Sequence, residues 1–157
     1  MVDSAPYYRN YGKRLVKAPK LYFLDTGVAA FLLGIENEHQ LNSHPLKGNL
    51  FENLVFGELL KSRFNAGRIS NLYFYRDRSG HEVDFVLDHG ASVRAVEVKL
   101  GRTIVSDYFK SLTYLGQVVP SLKQCYVVYG GTETRRQLGS EVIPYRSLPG
   151  FVDQCRP

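Results

Sequence analysis

Hydrophobic and polar positions are most regularly ordered between Tyr73 and Leu100. Val83, Phe85 and Leu87 alternate with Glu82, Asp84 and Asp88, the two-residue period of a strand with unlike faces. An aromatic run, Tyr73–Asp77, precedes it across the turn Arg78-Ser79-Gly80-His81. A third apolar run, Val93–Val98, follows the turn at His89-Gly90. The stretch therefore predicts three short consecutive strands.

Upstream, the period changes to that of a helix. Asn49, with Glu52 three positions on, has the form of a capping box, and the helix is expected to run to about Phe64 and stop at Gly67. At about 100° per residue, Phe56, Leu60, Val55 and Leu59 all fall within about 80° of Glu52. Glu52 thus sits in the middle of the apolar face, while Asn53, Gly57 and Lys61 lie away from it. Further upstream, Leu21–Leu24 reads as a strand. Asp25 or Thr26 caps a short helix, Val28–Leu33, closed by Gly34, and residues 35–48 read as a loop.

Downstream, Tyr108, Leu112 and Leu115 mark a helix that starts at Ser106 or Asp107 and ends near Gly116 and Pro120. Lys123–Tyr129 is a strand, Thr132–Ser140 is polar, and Glu141–Tyr145 is a candidate last strand before a short tail. From Asn49 the order is helix, three strands, helix, strand. That order predicts an α/β sandwich around a mixed sheet, with antiparallel hairpins first and a helical crossover last. The division expected is a basic N-terminal extension over 1–48, packed on a core domain over 49–157.

Composition narrows the class. At 157 residues one domain is expected, able to bury a core without staples. No apolar run approaches the ~18 residues of a membrane span and no signal peptide opens the chain, so no membrane partner is expected. Two cysteines, Cys125 and Cys155, lack metal-ligand spacing and suit a reducing cytoplasm better than a disulfide framework. The net charge of +5 makes a polyanion a plausible partner. Between Asp3 and Asp25 no residue is acidic. Arg9, Lys13, Arg14, Lys17 and Lys20 are interleaved there with Tyr7, Tyr8, Tyr11 and Tyr22, a pattern that suits a nucleic-acid backbone and its bases. A solvated arm is the alternative, since charge runs commonly just face water. The four histidines, His39, His44, His81 and His89, lack close ligand spacing and read as surface residues.

Two features do not suit a purely structural hairpin. Asp84 lies mid-strand, where Asp is disfavoured. Glu97 and Lys99 stand two apart inside A-V-E-V-K-L, so both project from one face. Charges in such a run cost free energy unless they are paired or hold a metal.

A Glu on the first helix, an Asp on the second strand and E-x-K on the third resemble the PD-(D/E)XK nuclease superfamily. The matching residues are Glu52, Asp84, Glu97 and Lys99. The phrases G-K-R-L-V-K-A-P-K-L-Y-F-L-D-T-G (12–27), F-E-N-L-V (51–55), Y-R-D-R-S-G-H-E-V-D-F-V-L (75–87) and V-E-V-K (96–99) are closer still to a narrower group. That group is the uncharacterised C-terminal domain found after an AAA-type ATPase module in many bacterial and archaeal proteins. Val83 stands where the superfamily pattern has Pro, and no G-x-x-x-x-G-K-[ST] occurs, so the ATPase half is absent from this chain.

The resemblance implies a restriction-endonuclease-like α-β-β-β-α-β core and a Mg²⁺- or Mn²⁺-dependent endo- or exonuclease acting on DNA, attached to an AAA-type ATPase. It implies that Asp84, Glu97 and the Val98 carbonyl ligate the metal, that Glu52 completes the shell, and that Lys99 orients water or stabilises charge. Arg76, Arg78 and Lys110 are candidates to reach phosphates, together with Lys13, Arg14 and Lys17 of the arm. The alternative is a non-catalytic module of nuclease fold that binds nucleic acid or a partner protein and regulates the ATPase, with Lys99 salt-bridged to Asp84 or Glu97.

Overall fold

A computed structural model describes residues 1–7 and 18–155. The basic stretch Arg9–Lys17, with Lys13, Arg14 and Lys17, lies outside the described residues.

Asp25 starts α1 (Thr26–Leu32) by accepting the Val28 N–H at 3.0 Å, and Gly34 at φ +72° follows its end. A short helix that the expected 35–48 loop missed, α2 (Glu38–Ser43), is capped by Asn37 through the Gln40 N–H. It buries no residue, so hydrophobic periodicity had nothing to report. Helix α3 (Lys47–Asn65) begins two residues before Asn49, after Leu46, and no side chain caps it. The Asn49–Glu52 capping box therefore does not form. Glu52 is engaged elsewhere, by Lys20 and Tyr22.

Strands β3 (Leu72–Arg76), β4 (Glu82–Asp88) and β5 (Val93–Lys99) form the antiparallel meander. In the first turn, Asp77 accepts the backbone N–H groups of Ser79 and His81, at 2.8 and 3.0 Å. In the second, Asp88 accepts the Gly90 N–H at 2.8 Å. Both turns carry a glycine in the left-handed region, Gly80 and Gly90. A 3₁₀ turn (Ser106–Phe109) leads into α4 (Lys110–Val118), which passes through Gly116 instead of ending there. The chain then enters β6 (Leu122–Tyr129).

Four elements had no sequence signal. They are β1 (Val2–Pro6), β7 (Arg135–Gln137) beside β8 (Ser140–Pro144), the short α2, and α5 (Leu148–Gln154) where only a tail was expected. Strand β2 is Lys20–Tyr22, shorter than the expected Leu21–Leu24. Among the described residues the sheet has eight strands in the order β2-β1-β3-β4-β5-β6-β8-β7. It is mixed: β1/β3, β5/β6 and β6/β8 are parallel, and the other neighbours antiparallel.

Helices cover both faces. Phe85, Leu87, Val96, Val98 and Tyr126 pack under α3 and α5, and Tyr126 meets Phe151 edge-on at 4.9 Å. Val83, Val86, Ala95 and Val127 pack under Phe109, Leu112 and Leu115. The alternation expected in β4 is thus replaced by burial of every residue from Val83 to Leu87. A register shift is responsible in part: three steps of β4, Val86 to Val83, oppose two of β3, Tyr73 to Tyr75. The extra residue falls in the stretch that holds Asp84, and such bulges re-aim side chains. The far side of α3 is buried too. Asn53 exchanges hydrogen bonds with both backbone groups of Phe23 (2.8 and 3.0 Å), and Gly57 abuts the Leu24 carbonyl.

Glycine substitutions test this packing. A Cβ on Gly130 would stand 2.1 Å from the Leu100 carbonyl oxygen, whereas one on Gly48, in α3, would meet nothing within 4 Å. Denaturant titration should show Gly130→Ala destabilised by about 2–3 kcal/mol and Gly48→Ala unchanged or stabilised by up to about 1 kcal/mol. Equal midpoints for the two would contradict the close approach of β6 to the end of β5.

Candidate active site

Beyond the pair Phe85↔Val96, the β4–β5 register would next set Asp84 opposite Glu97, and there a side chain joins the ladder. The Val98 N–H donates to Asp84 Oδ2 at 2.8 Å. On the same strand, Lys99 Nζ reaches Glu97 Oε1 at 2.6 Å. Glu97 Oε2 is buried and has no hydrogen-bond partner among the described residues.

The residue that closes the site is Lys20, on β2. Its ammonium lies 3.0 Å from Glu52 Oε1, 2.6 Å from Glu82 Oε1 and 3.6 Å from Asp84 Oδ1. Tyr22, two residues along, donates its hydroxyl to the same Glu52 oxygen at 2.5 Å and stacks on Phe56 with ring centroids 4.1 Å apart. The clamp of Asn53 on Phe23 fixes this strand against α3, and so fixes Lys20 against Glu52. Arg76 forks onto both oxygens of Glu82, at 2.8 and 2.9 Å. Lys20 and Arg76 both lie near the face of the buried Phe74 ring, 5.7 and 5.6 Å from its centroid. A cleft of about 480 Å³ opens onto Lys20, Glu52, Arg76 and Glu82; Asp84 and Glu97 are buried and do not line it.

Four carboxylates, Glu52, Glu82, Asp84 and Glu97, thus meet three cationic side chains, Lys20, Arg76 and Lys99. Burial raises the Asp84 pKa, and the Glu52 charge adds to it, against Lys20, Lys99 and the Val98 N–H. Burial and the Asp84 charge raise Glu97 likewise, against Lys99. Burial alone would raise Glu82, but Arg76 and Lys20 hold it below its ordinary value. Burial works against the charged form of Lys20, and Glu52, Asp84 and Glu82 outweigh it, so the ammonium is held charged. Burial, with Glu52, keeps the Tyr22 hydroxyl protonated far above its usual range.

Residues 47–148 match a protein family described as a domain of unknown function, DUF4143. The chain belongs to the DUF4143 family. Residues 2–39 match a second domain of unknown function, DUF8612. The chain is 30% identical over 139 residues to the uncharacterised proteins Mb2031c of Mycobacterium bovis and Rv2008c of Mycobacterium tuberculosis. The match takes in 88% of this chain and 30% of the length of each relative. Among solved structures, the half-complex from the tetradecameric assembly of Thermococcus gammatolerans McrB AAA+ hexamers with bound McrC is similar at 15% identity and a TM-score of 0.43. That similarity covers 62% of this chain and 27% of that one, a level at which it bears no weight for fold or function.

In this DUF4143 chain the structure brings Glu52, Asp84, Glu97 and Lys99 together, and Val98 joins them through its N–H. Arg76 is at the rim, neutralised by Glu82. Arg78 is exposed in the β3–β4 turn, and Lys110 is exposed on α4, paired with Asp107 at 2.8 Å. Lys20 and Tyr22, read in the sequence as part of a nucleic-acid-binding arm, are instead turned onto the carboxylates and the core, and sequence reasoning missed Glu82. A signal was present: Lys20/Tyr22 and Glu82/Asp84 are each two apart in a strand, hence on one face before any bulge. Two histidines are less exposed than expected. His81 stacks on Tyr114 at 3.7 Å and bonds Asp77, and His89 is half-buried.

Among the described residues no three His, Cys, Asp or Glu form a ready cage. Mg²⁺, however, keeps several waters and is commonly held by one or two carboxylates. Asp84 and Glu97 supply two, and the unpartnered Glu97 oxygen is a vacant donor to a cation.

These electrostatics set the pH dependence. Carboxyl groups whose folded pKa is raised bind more protons when folded than unfolded. The metal-free fold therefore loses stability as pH rises from the ordinary carboxylate values, 3.8 and 4.5, through the raised ones. The limit is about 1.4 kcal/mol per pH unit for each proton. Asp84→Asn keeps an acceptor for Val98 and removes one titrating charge. Melting curves over this range should show a shallower fall for Asp84→Asn and equal or higher stability at neutral pH. A steeper fall or a strong loss at neutral pH would make Asp84 a structural ion-pair partner.

Proposed function

We propose that this DUF4143 chain is a metal-dependent nuclease domain of PD-(D/E)XK type, cutting phosphodiester bonds in DNA. The observation that carries the reading is Glu97. It is buried against Asp84 with Lys99 on one oxygen and, among the described residues, no partner for the other, an arrangement that costs stability unless a further cation is bound there. The order α3, β3, β4, β5, α4, β6 supports a restriction-endonuclease-like core.

In this reading Asp84 and Glu97 hold Mg²⁺ or Mn²⁺. The Val98 carbonyl joins them, on the same strand edge as the N–H that Asp84 accepts. Glu52 reaches the shell through water. The ion, when bound, lowers the pKa of a water and neutralises charge on the phosphate. Lys99, oriented by Glu97, holds the attacking water or the developing oxyanion. Arg76 and Arg78, with Lys110 and the arm residues Lys13, Arg14 and Lys17, contact phosphates. The AAA-type ATPase module belongs to the remainder of a longer protein, and the 30% share of each curated relative leaves room for it. The work then takes place in the cytoplasm. Among the described residues no helix is long and apolar enough to cross a membrane.

One observation favours the non-catalytic reading: the Lys20 ammonium already stands among Glu52, Glu82 and Asp84, where it can act as a permanent counter-ion. Lys20→Met separates the two. Without metal, the stranded carboxylates should cost about 3–5 kcal/mol. Added Mn²⁺ should restore more stability to Lys20→Met than it adds to the parent chain, and none to Lys20→Met/Asp84→Asn. A stabilisation of about 2.7 kcal/mol corresponds to metal at a hundred times its Kd. If neither the parent nor Lys20→Met responds to Mn²⁺, the site is a closed salt-bridge network and the binding-module reading stands.

Cleavage gives the second test. With linear and supercoiled DNA and Mn²⁺, Glu97→Gln and Lys99→Ala should each lower the rate about a hundredfold or more. Neutralising Lys13, Arg14 and Lys17 should weaken DNA binding and reduce the log–log salt slope by about 0.7–0.9 per lost contact. An unchanged slope returns the arm to a solvated segment.

A further inference from the structure

Strands β5, β6 and β8 run parallel and end side by side at Lys99, Tyr129 and Pro144. Beyond their carboxyl ends lies a second cleft, of about 760 Å³, bounded by Arg102, Arg135 and Arg146. Its floor is bare backbone. The Gly130 N–H donates to the carbonyls of Lys99 and Gly101, both at 3.2 Å. A Cβ on Gly130 would collide with the Leu100 carbonyl, one on Gly131 with the Tyr129 ring, and one on Gly101 with the Tyr108 hydroxyl. Contact therefore holds these three positions to glycine and brings the end of β6 close against the chain that follows β5. The Tyr129 hydroxyl donates to the Glu133 carbonyl and accepts the Glu133 N–H, both at 2.9 Å, which pins the loop that forms one wall.

The charge here differs from that around the acidic site. Arg76 is neutralised by Glu82 and Lys110 by Asp107. Arg102, Arg135 and Arg146 are exposed, and among the described residues none of them is in an ion pair. Glu133 is the one acidic residue along the wall, so the cleft is net positive. Guanidinium groups present paired donors that match phosphate oxygens. The carboxyl ends of parallel strands are where open α/β sheets take their ligands. The Gly130 N–H also ties this cleft to the carbonyl of Lys99, the residue that holds Glu97. At about 3.3 Å per residue, Gly101 is at most roughly 13 Å along the chain from Glu97. Successive phosphates of one strand are spaced along the helix axis at about 3.4 Å. A strand crossing the acidic site therefore brings its next few phosphates to the arginines.

We propose that the cleft formed by Arg102, Arg135 and Arg146 binds the phosphate backbone of a nucleic-acid strand next to the bond to be cut. This rests on the nuclease reading for the position of the cut, but not for the binding itself.

The test is fluorescence anisotropy of a labelled 20-nucleotide single strand and its duplex, in EDTA, with the full chain. Arg102→Gln/Arg135→Gln/Arg146→Gln should bind at least tenfold more weakly, and its log–log salt slope should fall by about 2–3 units, at 0.7–0.9 per contact. Lys61→Gln, a change of charge on the exposed side of α3, should bind within twofold of the parent. Because the three arginines are exposed, the melting temperature of the triple variant should match the parent, which separates lost contacts from lost fold. Unchanged affinity and slope in the triple variant overturn the proposal, whatever the protein cleaves. Loss of inorganic polyphosphate binding with oligonucleotide binding intact also overturns it, assigning the cleft to a small polyphosphate. Since EDTA removes the metal, failure of cleavage with Mn²⁺ would sink the nuclease reading and leave this result standing.

Discussion

The ammonium of Lys20 is the interaction on which the arrangement of the site depends. It joins β2 to α3 through Glu52 and to β4 through Glu82 and Asp84, three elements that are not adjacent in the chain. The lysine is largely removed from solvent, so each of these contacts acts in a medium that screens poorly. Removing the ammonium would leave carboxylates that repel one another, which is why one side chain at a sheet edge governs the shape of the centre. Tyr22 and Asn53 serve the same junction by neutral means: a hydroxyl on Glu52, and an amide that holds the backbone of Phe23.

The second constraint is the burial of Asp84 and Glu97 between helices that cover both faces of the sheet. A carboxylate at such a position is costly, and two side by side more so. The fold offsets part of that cost with the Val98 N–H, Lys99 and Lys20 and leaves one oxygen of Glu97 unanswered. A core optimised only for stability would place apolar side chains here. Retaining unbalanced charge at the one place where a bulge disturbs β4 is the departure from local consistency that functional sites show.

The two clefts divide the surface by charge. Near β2 and α3 the cations are paired, and the excess is negative and buried. At the carboxyl ends of β5, β6 and β8 the arginines make no ion pair among the described residues, and the excess is positive and exposed. Strand β5 links the two: Glu97 and Lys99 belong to the first, and the Lys99 carbonyl, through the Gly130 N–H, to the second.

The sequence by itself determined the central meander, the helices α1, α3 and α4, strand β6, and the placing of Glu52 on α3, Asp84 on β4, and Glu97 and Lys99 on β5. Each depends on signals within a few residues: period, turn glycines, Asx caps, and charges at i and i+2 in an apolar run. What failed in the sequence failed for want of such local signals. Strand β1 is five residues long and is held by β2 and by β3, far along the chain, and β7 is a three-residue edge strand paired only with β8. The α2 helix buries nothing, and α5 is specified by the groove between α3 and β8 that receives it. Glu52 satisfied the local rule for a cap and was taken instead by Lys20 and Tyr22, because a buried charge-assisted pair outweighs a hydrogen bond at a frayed helix end. Which cation meets which carboxylate, and whether an arginine is paired or free, is set by the register of strands brought together from opposite ends of the chain. Only the tertiary structure could decide that, since Coulomb energies depend on distance in space and carry no trace in sequence separation.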